Sequence, residues 1–208
     1  MKSKQSKAIV PRRGVVAPRG TPQSAGTVIP VTSPAGRQGF VYQVNPGDLP
    51  TPTRQFYAHM AHAERKLCEI ELAFGQLAPG SWAGQESYLT LFINLALDHL
   101  PALLDGARRL LEPLERHLET KQIQVVDTAP FPQDPAQAVY LRANLVGIAF
   151  WGLESVLDFH YLSPWEYQKL GQGKEPTVEQ VVRVSLSTAV SAALLRRLFQ
   201  FGEPGDKG

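Results

Sequence analysis

The clearest pattern in the chain is an alternation of apolar and polar residues over 153–161. Leu157 and Phe159 fall on one side of this stretch, and Asp158 and His160 fall on the other. Successive side chains of a strand point to opposite faces, so a period of two residues predicts a half-buried strand. The pattern therefore places His160 on an exposed strand face.

This strand belongs to a predicted second unit that spans residues 139–201. Gly152 indicates a bend just before it, and later residues alternate again before they change to helical spacing. The predicted elements are a strand at Tyr140–Phe150, a strand at Leu153–Tyr161, a polar loop at 166–176, a strand at Val178–Leu186 and a helix capped by Ser187 or Thr188.

An earlier unit, residues 54–120, shows the same order of elements. It is predicted to contain an extended segment at Phe56–Ala63, a strand at Lys66–Phe74, a loop around Pro79–Gly84, a strand at Tyr88–Leu97 and a helix capped by Asp98 and kinked or interrupted at Pro113. Alternation in the second of these segments places Cys68 on the inward face. Both units carry the spacing Phe-x-x-Leu-x-Pro, at Phe74 and again at Phe159.

The repeated order predicts the fold class. A unit of about 60 residues buries little apolar surface and leaves unpaired sheet edges. We therefore expect an α+β protein in which two similar antiparallel strand-strand-strand-helix units pack as a pseudo-symmetric pair. The proline-rich residues 121–138 are predicted to link the units, and residues 202–208 to form a flexible tail.

The residues before the first unit differ from the rest in composition. Residues 1–52 are rich in Pro, Gly, Ser and Thr, which predicts a disordered arm, although Phe40–Val44 could form a short edge strand. Residues 1–47 hold seven basic residues and no acidic ones, whereas the remainder holds 14 basic and 19 acidic residues. A basic arm attached to an acidic body is thus expected.

The chain shows no feature of secretion or of membrane insertion. Its single cysteine excludes an internal disulfide framework. The basic N-terminus lacks the apolar run of a signal peptide, and no stretch has the roughly 18 consecutive apolar residues of a membrane helix. These features predict a cytoplasmic protein that does not contact a membrane.

One segment of the second unit resembles a known family. Tyr140, Ala143-Asn144 and the later Leu157-Asp158-Phe159-x-Tyr161-Leu162 are similar to the pattern of a short bacterial family catalogued as domain of unknown function 3467. The first unit, with Glu71-Leu72-Ala73-Phe74-Gly75, matches that pattern more loosely. The resemblance implies a tandem duplicate but no activity. The layout is also similar to that of SecB-like export chaperones, which implies binding of unfolded chains in apolar grooves.

Candidate catalytic and metal-binding residues are few. His59 and His62 lie three residues apart, so on a strand they point to opposite faces and could meet at one ion only on a helix or across a turn. Glu69 and Glu71 share a strand face about 7 Å apart, where a solvated polar face is expected. We therefore predict no catalytic residue, no metal site and no cofactor, and we expect that the protein is not an enzyme.

The aromatic residues of the second unit suggest an interaction surface, because Trp and Tyr are enriched at binding hot spots. The residues expected to bind a partner are Trp151, Tyr161, Trp165 and Tyr167. The leading hypothesis is a protein-interaction module, an assembly component, adaptor or chaperone-like protein, which binds another polypeptide or itself as a homo-oligomer through sheet edges or an aromatic groove.

The alternative hypothesis is a nucleic-acid-associated protein anchored by residues 1–38. Lysine and arginine side chains neutralise phosphates, and such binding weakens as salt increases. The residues expected to contact nucleic acid or an acidic partner are Lys2, Lys4, Lys7, Arg12, Arg13 and Arg19. The arm lacks interleaved aromatic residues, so base-specific reading of single strands is not expected.

Overall fold

A computed structural model of the chain describes residues 26–32, 38–44, 51–77, 88–125, 127–131 and 137–202. Within these ranges the chain forms strands and helices in mixed order, which confirms the α+β class. The strands are β1 (Gly26–Thr32), β2 (Gln38–Val44), β3 (Gln55–Tyr57), β4 (Met60–Arg65), β5 (Glu69–Leu77), β6 (Tyr88–Ala96), β7 (Ala138–Ala143), β8 (Leu145–Trp151), β9 (Glu154–Tyr161) and β10 (Glu179–Ser187). The helices are α1 (Leu100–Thr120), α2 (Pro164–Gly171) and α3 (Thr188–Gly202).

Eight of these strands form two four-stranded sheets. Sheet I has the order β4-β5-β6-β7, and sheet II has the order β3-β10-β9-β8. Each sheet contains three consecutive antiparallel strands, to which a fourth strand from the other half of the chain is added in parallel. In sheet I that strand is β7, whose Val139 pairs with Leu91, and in sheet II it is β3, whose Phe56 pairs with Val184.

The two sheets meet where the chain passes directly from one to the other. The sequence predicted single strands at Phe56–Ala63 and Tyr140–Phe150, and this is wrong, because each consists of two strands in different sheets. The backbone N–H of His59 bonds to the carbonyl of Gly75 at 2.8 Å at the first corner, and that of Asn144 bonds to the carbonyl of His160 at 3.0 Å at the second. Alternation continues through both corners and therefore does not reveal them.

The inner faces of both sheets and two helices form one hydrophobic core. Phe74 of sheet I and Phe159 of sheet II meet there edge to face, with ring centroids 5.8 Å apart. Buried inner-face residues are Ile70, Leu72, Phe74, Leu91, Ile93, Leu157, Phe159, Val182, Val184 and Leu186. Because burial of apolar area is the main favourable term in folding, this core fixes the position of both sheets.

Helices α1 and α3 pack antiparallel to each other, with Arg196 Nε 2.6 Å from Glu115 Oε1. Ser187 accepts the N–H of Val190 and so caps α3, as the sequence predicted. In α1 the cap position is His99, not Asp98, which lies in a short 3-10 turn. The helix continues through Pro113, whose ring lies on its exposed side.

Helix α2 occupies residues that the sequence predicted to be a loop. Its start has the pattern of a capping box, since Ser163 Oγ accepts the N–H of Glu166 at 3.4 Å and Pro164 begins the helix. Glu166 then binds Lys169 at 2.7 Å and the N–H of Thr177 at 2.6 Å. These bonds tie the helix to the chain that leads into β10.

Part of the predicted arm is described. Strands β1 and β2 pair antiparallel, so the predicted edge strand at Phe40–Val44 is present, whereas 26–32 differs from the expected disorder. The rest of residues 1–50, the predicted loop at 79–84 and the end of the predicted tail at 203–208 lie outside the described residues. None of the helices in the described ranges combines the length and apolar character that crossing a bilayer requires.

Candidate functional site

The most exposed apolar backbone in the described structure belongs to β8. This strand, Leu145–Trp151, reads LVGIAFW and contains no charged residue. Within the described chain it pairs with β9 on one side only and is the last strand of sheet II. An edge strand presents unpaired N–H and C=O groups to any chain that approaches, and natural proteins usually protect such edges with charge, proline or cover. Strand β8 has neither charge nor proline.

The corresponding edge of sheet I is protected. Strand β4 contains the exposed residues Glu64 and Arg65, and helix α3 packs along it. The Arg65 guanidinium also donates to the carbonyl of Phe201 at 3.3 Å. Helix α1 approaches β8 less closely and meets it mainly where Phe150 packs against Leu114 and Leu118. The remainder of the β8 edge is therefore open.

The outer face of sheet II adjoins this edge. Strand pairing places Ala149, Val156, Ser185 and Tyr57 in one row across the sheet. Val156 and Ser185 are buried and small, whereas Tyr57 at one end of the row is mostly exposed. Trp151, the last residue of β8, is 58% exposed on the same face. The face is thus a low floor with an aromatic side chain at each side.

An ion pair crosses this outer face beside the row. Arg183 of β10 and Asp158 of β9 are direct cross-strand neighbours, and two hydrogen bonds of 2.7 Å join guanidinium and carboxylate. This two-pronged contact raises the pKa of Arg183. The sequence showed both charges on outward strand faces but did not show that they are neighbours.

The four aromatic residues predicted to bind a partner do not form one groove. Trp151 lies at the hairpin between β8 and β9, whereas Tyr161 ends β9 about 23 Å away at 3.3 Å per residue. Trp165 is 74% exposed at the start of α2. Tyr167 packs against Leu162, and burial raises its pKa. Trp151 is therefore the only one of the four at the open β8 edge.

A separate open cleft of about 630 Å³ lies where β3, β7, β9 and β10 approach one another. Its lining residues include Tyr161, Arg54, Arg142 and Glu179. The cleft is wide and mixes opposite charges, so its lining points to no particular ligand.

Two residues lie opposite to their predicted exposure. His160 was predicted to be exposed, but its side chain is completely buried because this end of the outer face is covered: its neighbour Leu145 packs against Leu162 and Tyr167. Cys68 was predicted to point inward, but it is exposed because it lies in the turn before β5 and not in the strand.

The histidines that suggested a metal site are also apart in function. His59 is exposed at a corner, where its Nδ1 accepts the N–H of Leu77 at 3.2 Å. His62 lies half-buried in β4. Over the described ranges, no group of three or more His, Cys, Asp or Glu side chains is placed to hold a metal ion. Of the two glutamates, Glu71 pairs with Lys66 at 2.7 Å, and this hydrogen bond raises the pKa of Lys66.

Two partly buried histidines are expected to make stability depend on pH. Burial lowers the pKa of His99, and burial together with the charge of Arg197 lowers the pKa of His62. The unfolded chain, with histidine pKa values near 6.5, then binds more protons than the folded one below that pH. We expect the free energy of unfolding to be highest above about pH 6.5 and to fall as the pH drops further. Urea unfolding at pH 7.5 and 5 measures this, and His99→Gln should reduce the difference; an unchanged difference would contradict it.

The basic residues predicted to contact nucleic acid, Lys2, Lys4, Lys7, Arg12, Arg13 and Arg19, lie outside the described residues. Their role stays a prediction. Searches with family models, curated proteins and solved structures find no match for this chain.

Proposed function

We propose that the protein is a non-enzymatic interaction module that binds an extended polypeptide as an additional strand along β8. The observation that carries the proposal is the open edge of sheet II, seven uncharged apolar residues that end at the exposed Trp151. In this mode of recognition the main chain supplies hydrogen bonds and alternate side chains supply specificity.

The protein already uses strand addition within its own chain. Sheet I is completed by β7 and sheet II by β3, and each of these strands comes from the opposite half of the sequence. A polypeptide at β8 would extend sheet II at its other end in the same way. The preferred ligand is an extended segment of about six residues with alternating apolar side chains, matched to the 3.3 Å rise per residue of the strand.

We also infer that the two halves are copies of one unit, as the repeated order of elements suggested. Three hydrogen bonds support this inference because they recur 85 residues later. His59 N–H to Gly75 and Leu77 N–H to the His59 side chain correspond to Asn144 N–H to His160 and Leu162 N–H to the Asn144 side chain.

The core contact between the halves has the same relation. Phe74 and Phe159 are also 85 residues apart, and each is the other's contact partner. A residue that contacts its own counterpart lies on a two-fold axis. On this interpretation the tandem-duplicate resemblance and the strand exchange have one origin, a fused pair of units that share their edge strands.

The proposal is tested by one substitution on the exposed edge. Ala149→Lys places a charge at the middle of β8, as natural edge strands do to prevent strand addition. Peptides selected from a display library of random 12-residue sequences on the wild-type protein should bind Ala149→Lys at least about tenfold more weakly, a loss of about 1.4 kcal/mol. Trp151→Ala should also weaken binding, by about 2 kcal/mol if Trp151 is an anchor.

The matched control is Ala96→Lys, which adds the same charge at an exposed alanine in a strand that is not at an edge. Equal binding by wild type and Ala149→Lys, or an equal loss in the control, would overturn the proposal. If the wild type forms a dimer that Ala149→Lys disrupts, the occupant of the edge is a second copy of the chain. Sedimentation of both variants distinguishes this outcome.

A further inference from the structure

The outer face of sheet I is covered by a short segment of the linker between the two halves. This strap, residues 127–131, places Phe131 on the sheet, where the side chain is 5% exposed. The ring contacts a small cluster that is separate from the main core. The other members of the cluster are Ala73, Tyr88, Phe92, Met60 and Ala138.

A glycine makes room for the ring. A Cβ atom at Gly75 would lie 2.7 Å from Cε2 of Phe131, closer than nonbonded carbon atoms approach. Gly75 lies in the interior of β5, where glycine weakens a strand and usually marks a site at which something approaches closely. The depression is thus shaped for an aromatic side chain that comes from outside the sheet.

The strap is attached mainly by this one side chain. Among the described residues, no backbone group of 127–131 forms a hydrogen bond with the sheet. The Thr128 hydroxyl is buried and has no hydrogen-bond partner within the same part of the structure. Pro130, directly before Phe131, lacks an N–H and favours an extended backbone. An extended segment held by one aromatic anchor resembles a bound peptide more than an element of the sheet.

The aromatic surface under the strap continues beyond it. Phe131 is 5.5 Å from the ring of Tyr88, and the neighbouring Phe92 stacks on Tyr140 with ring centroids 4.7 Å apart. Tyr140 is 61% exposed. Displacement of the strap would therefore open a row of three aromatic rings, the type of residue enriched at binding hot spots.

We propose that the strap is an exchangeable internal ligand, and that the outer face of sheet I binds an extended partner segment with phenylalanine after proline. The partner's phenylalanine enters the depression at Gly75 and displaces Phe131. In the free protein the strap blocks this site, so that binding in trans requires competition with a segment of the same chain. This site is independent of the β8 edge, since it lies on the outer face of the other sheet.

The test uses the full chain and a labelled peptide with the sequence of residues 127–133, DTAPFPQ. In fluorescence anisotropy, Phe131→Ala should bind the peptide saturably and at least about tenfold more tightly than wild type, since the internal competitor is weakened. The peptide with alanine in place of its phenylalanine should bind neither protein. Adding Gly75→Ala to Phe131→Ala should abolish binding, because the new Cβ occupies the place of the ring.

Phe131→Leu provides a second variant that keeps an apolar side chain if Phe131→Ala fails to fold. It should bind the peptide with an affinity between those of wild type and Phe131→Ala. Equal binding of the peptide to wild type and Phe131→Leu, or equal binding of the peptides with and without phenylalanine, would overturn the proposal. Because Ala149→Lys leaves sheet I unchanged, it should not affect this peptide, and failure here would not bear on the β8 edge.

Discussion

Replacing Phe159 with alanine is expected to lower the free energy of unfolding by about 3–5 kcal/mol, the usual cost of removing a buried phenylalanine ring. Phe159 is completely buried in the middle of β9, the strand that lies between β8 and β10. Its ring also meets Phe74 edge to face, so that the substitution leaves a cavity between the two sheets. A loss of this size is a large part of the stability of an ordinary domain.

Urea unfolding followed by circular dichroism measures this loss. Trp165→Ala is the matched control, because its ring is larger but mostly exposed, and a change within about 0.5 kcal/mol is expected. Phe74→Ala should cost about as much as Phe159→Ala, and the double variant less than the sum, since the two rings share one contact. Losses below 1 kcal/mol for either phenylalanine would show that the sheets do not pack through this pair.

Much of the secondary structure could be predicted from local pattern. The alternation near Leu72, Ile93, Leu157 and Val184 gives strands β5, β6, β9 and β10, and the apolar spacing after Asp98 and Ser187 gives α1 and α3. These signals are local because the buried face of an element is set by its own period. They survive without knowledge of which elements are neighbours.

The corners between the sheets could not be predicted in this way. Alternation runs through His59 and Asn144, and only pairing with different partners divides each stretch into two strands. The parallel addition of β3 and β7 is likewise a property of residues far apart in sequence. Helix α2 is different, because Ser163 and Glu166 carried a capping signal that the prediction of a loop ignored.

The candidate sites show the same division. Exposed aromatic residues were expected in the second unit, and Trp151 and Trp165 are exposed, but only the strand order places Trp151 at an open edge. The strap lay in a stretch that the sequence gives as a linker. Its importance depends on Gly75, which is more than 50 residues from Phe131, and no local pattern connects the two.

Replacing Asn144 with alanine is expected to lower the free energy of unfolding by about 2–4 kcal/mol, because two backbone groups lose their partners in a buried place. Asn144 Nδ2 donates to the carbonyl of Leu162 at 2.7 Å, and Asn144 Oδ1 accepts the N–H of Leu162 at the same distance. Leu162 is completely buried, so water cannot replace these bonds. This clamp gives a physical reason for asparagine at the corner between β7 and β8.

The corner in the other half provides the matched control. There His59 accepts one bond, from Leu77 N–H at 3.2 Å, and both residues are partly or fully exposed. His59→Ala should therefore cost less than about 1 kcal/mol, since water can take the place of the side chain. Asn144→Asp, which keeps the acceptor and loses the donor, should fall between wild type and Asn144→Ala near neutral pH. Equal losses at the two corners in urea unfolding would contradict the clamp, because equivalent positions in the two halves would then contribute alike despite their different burial.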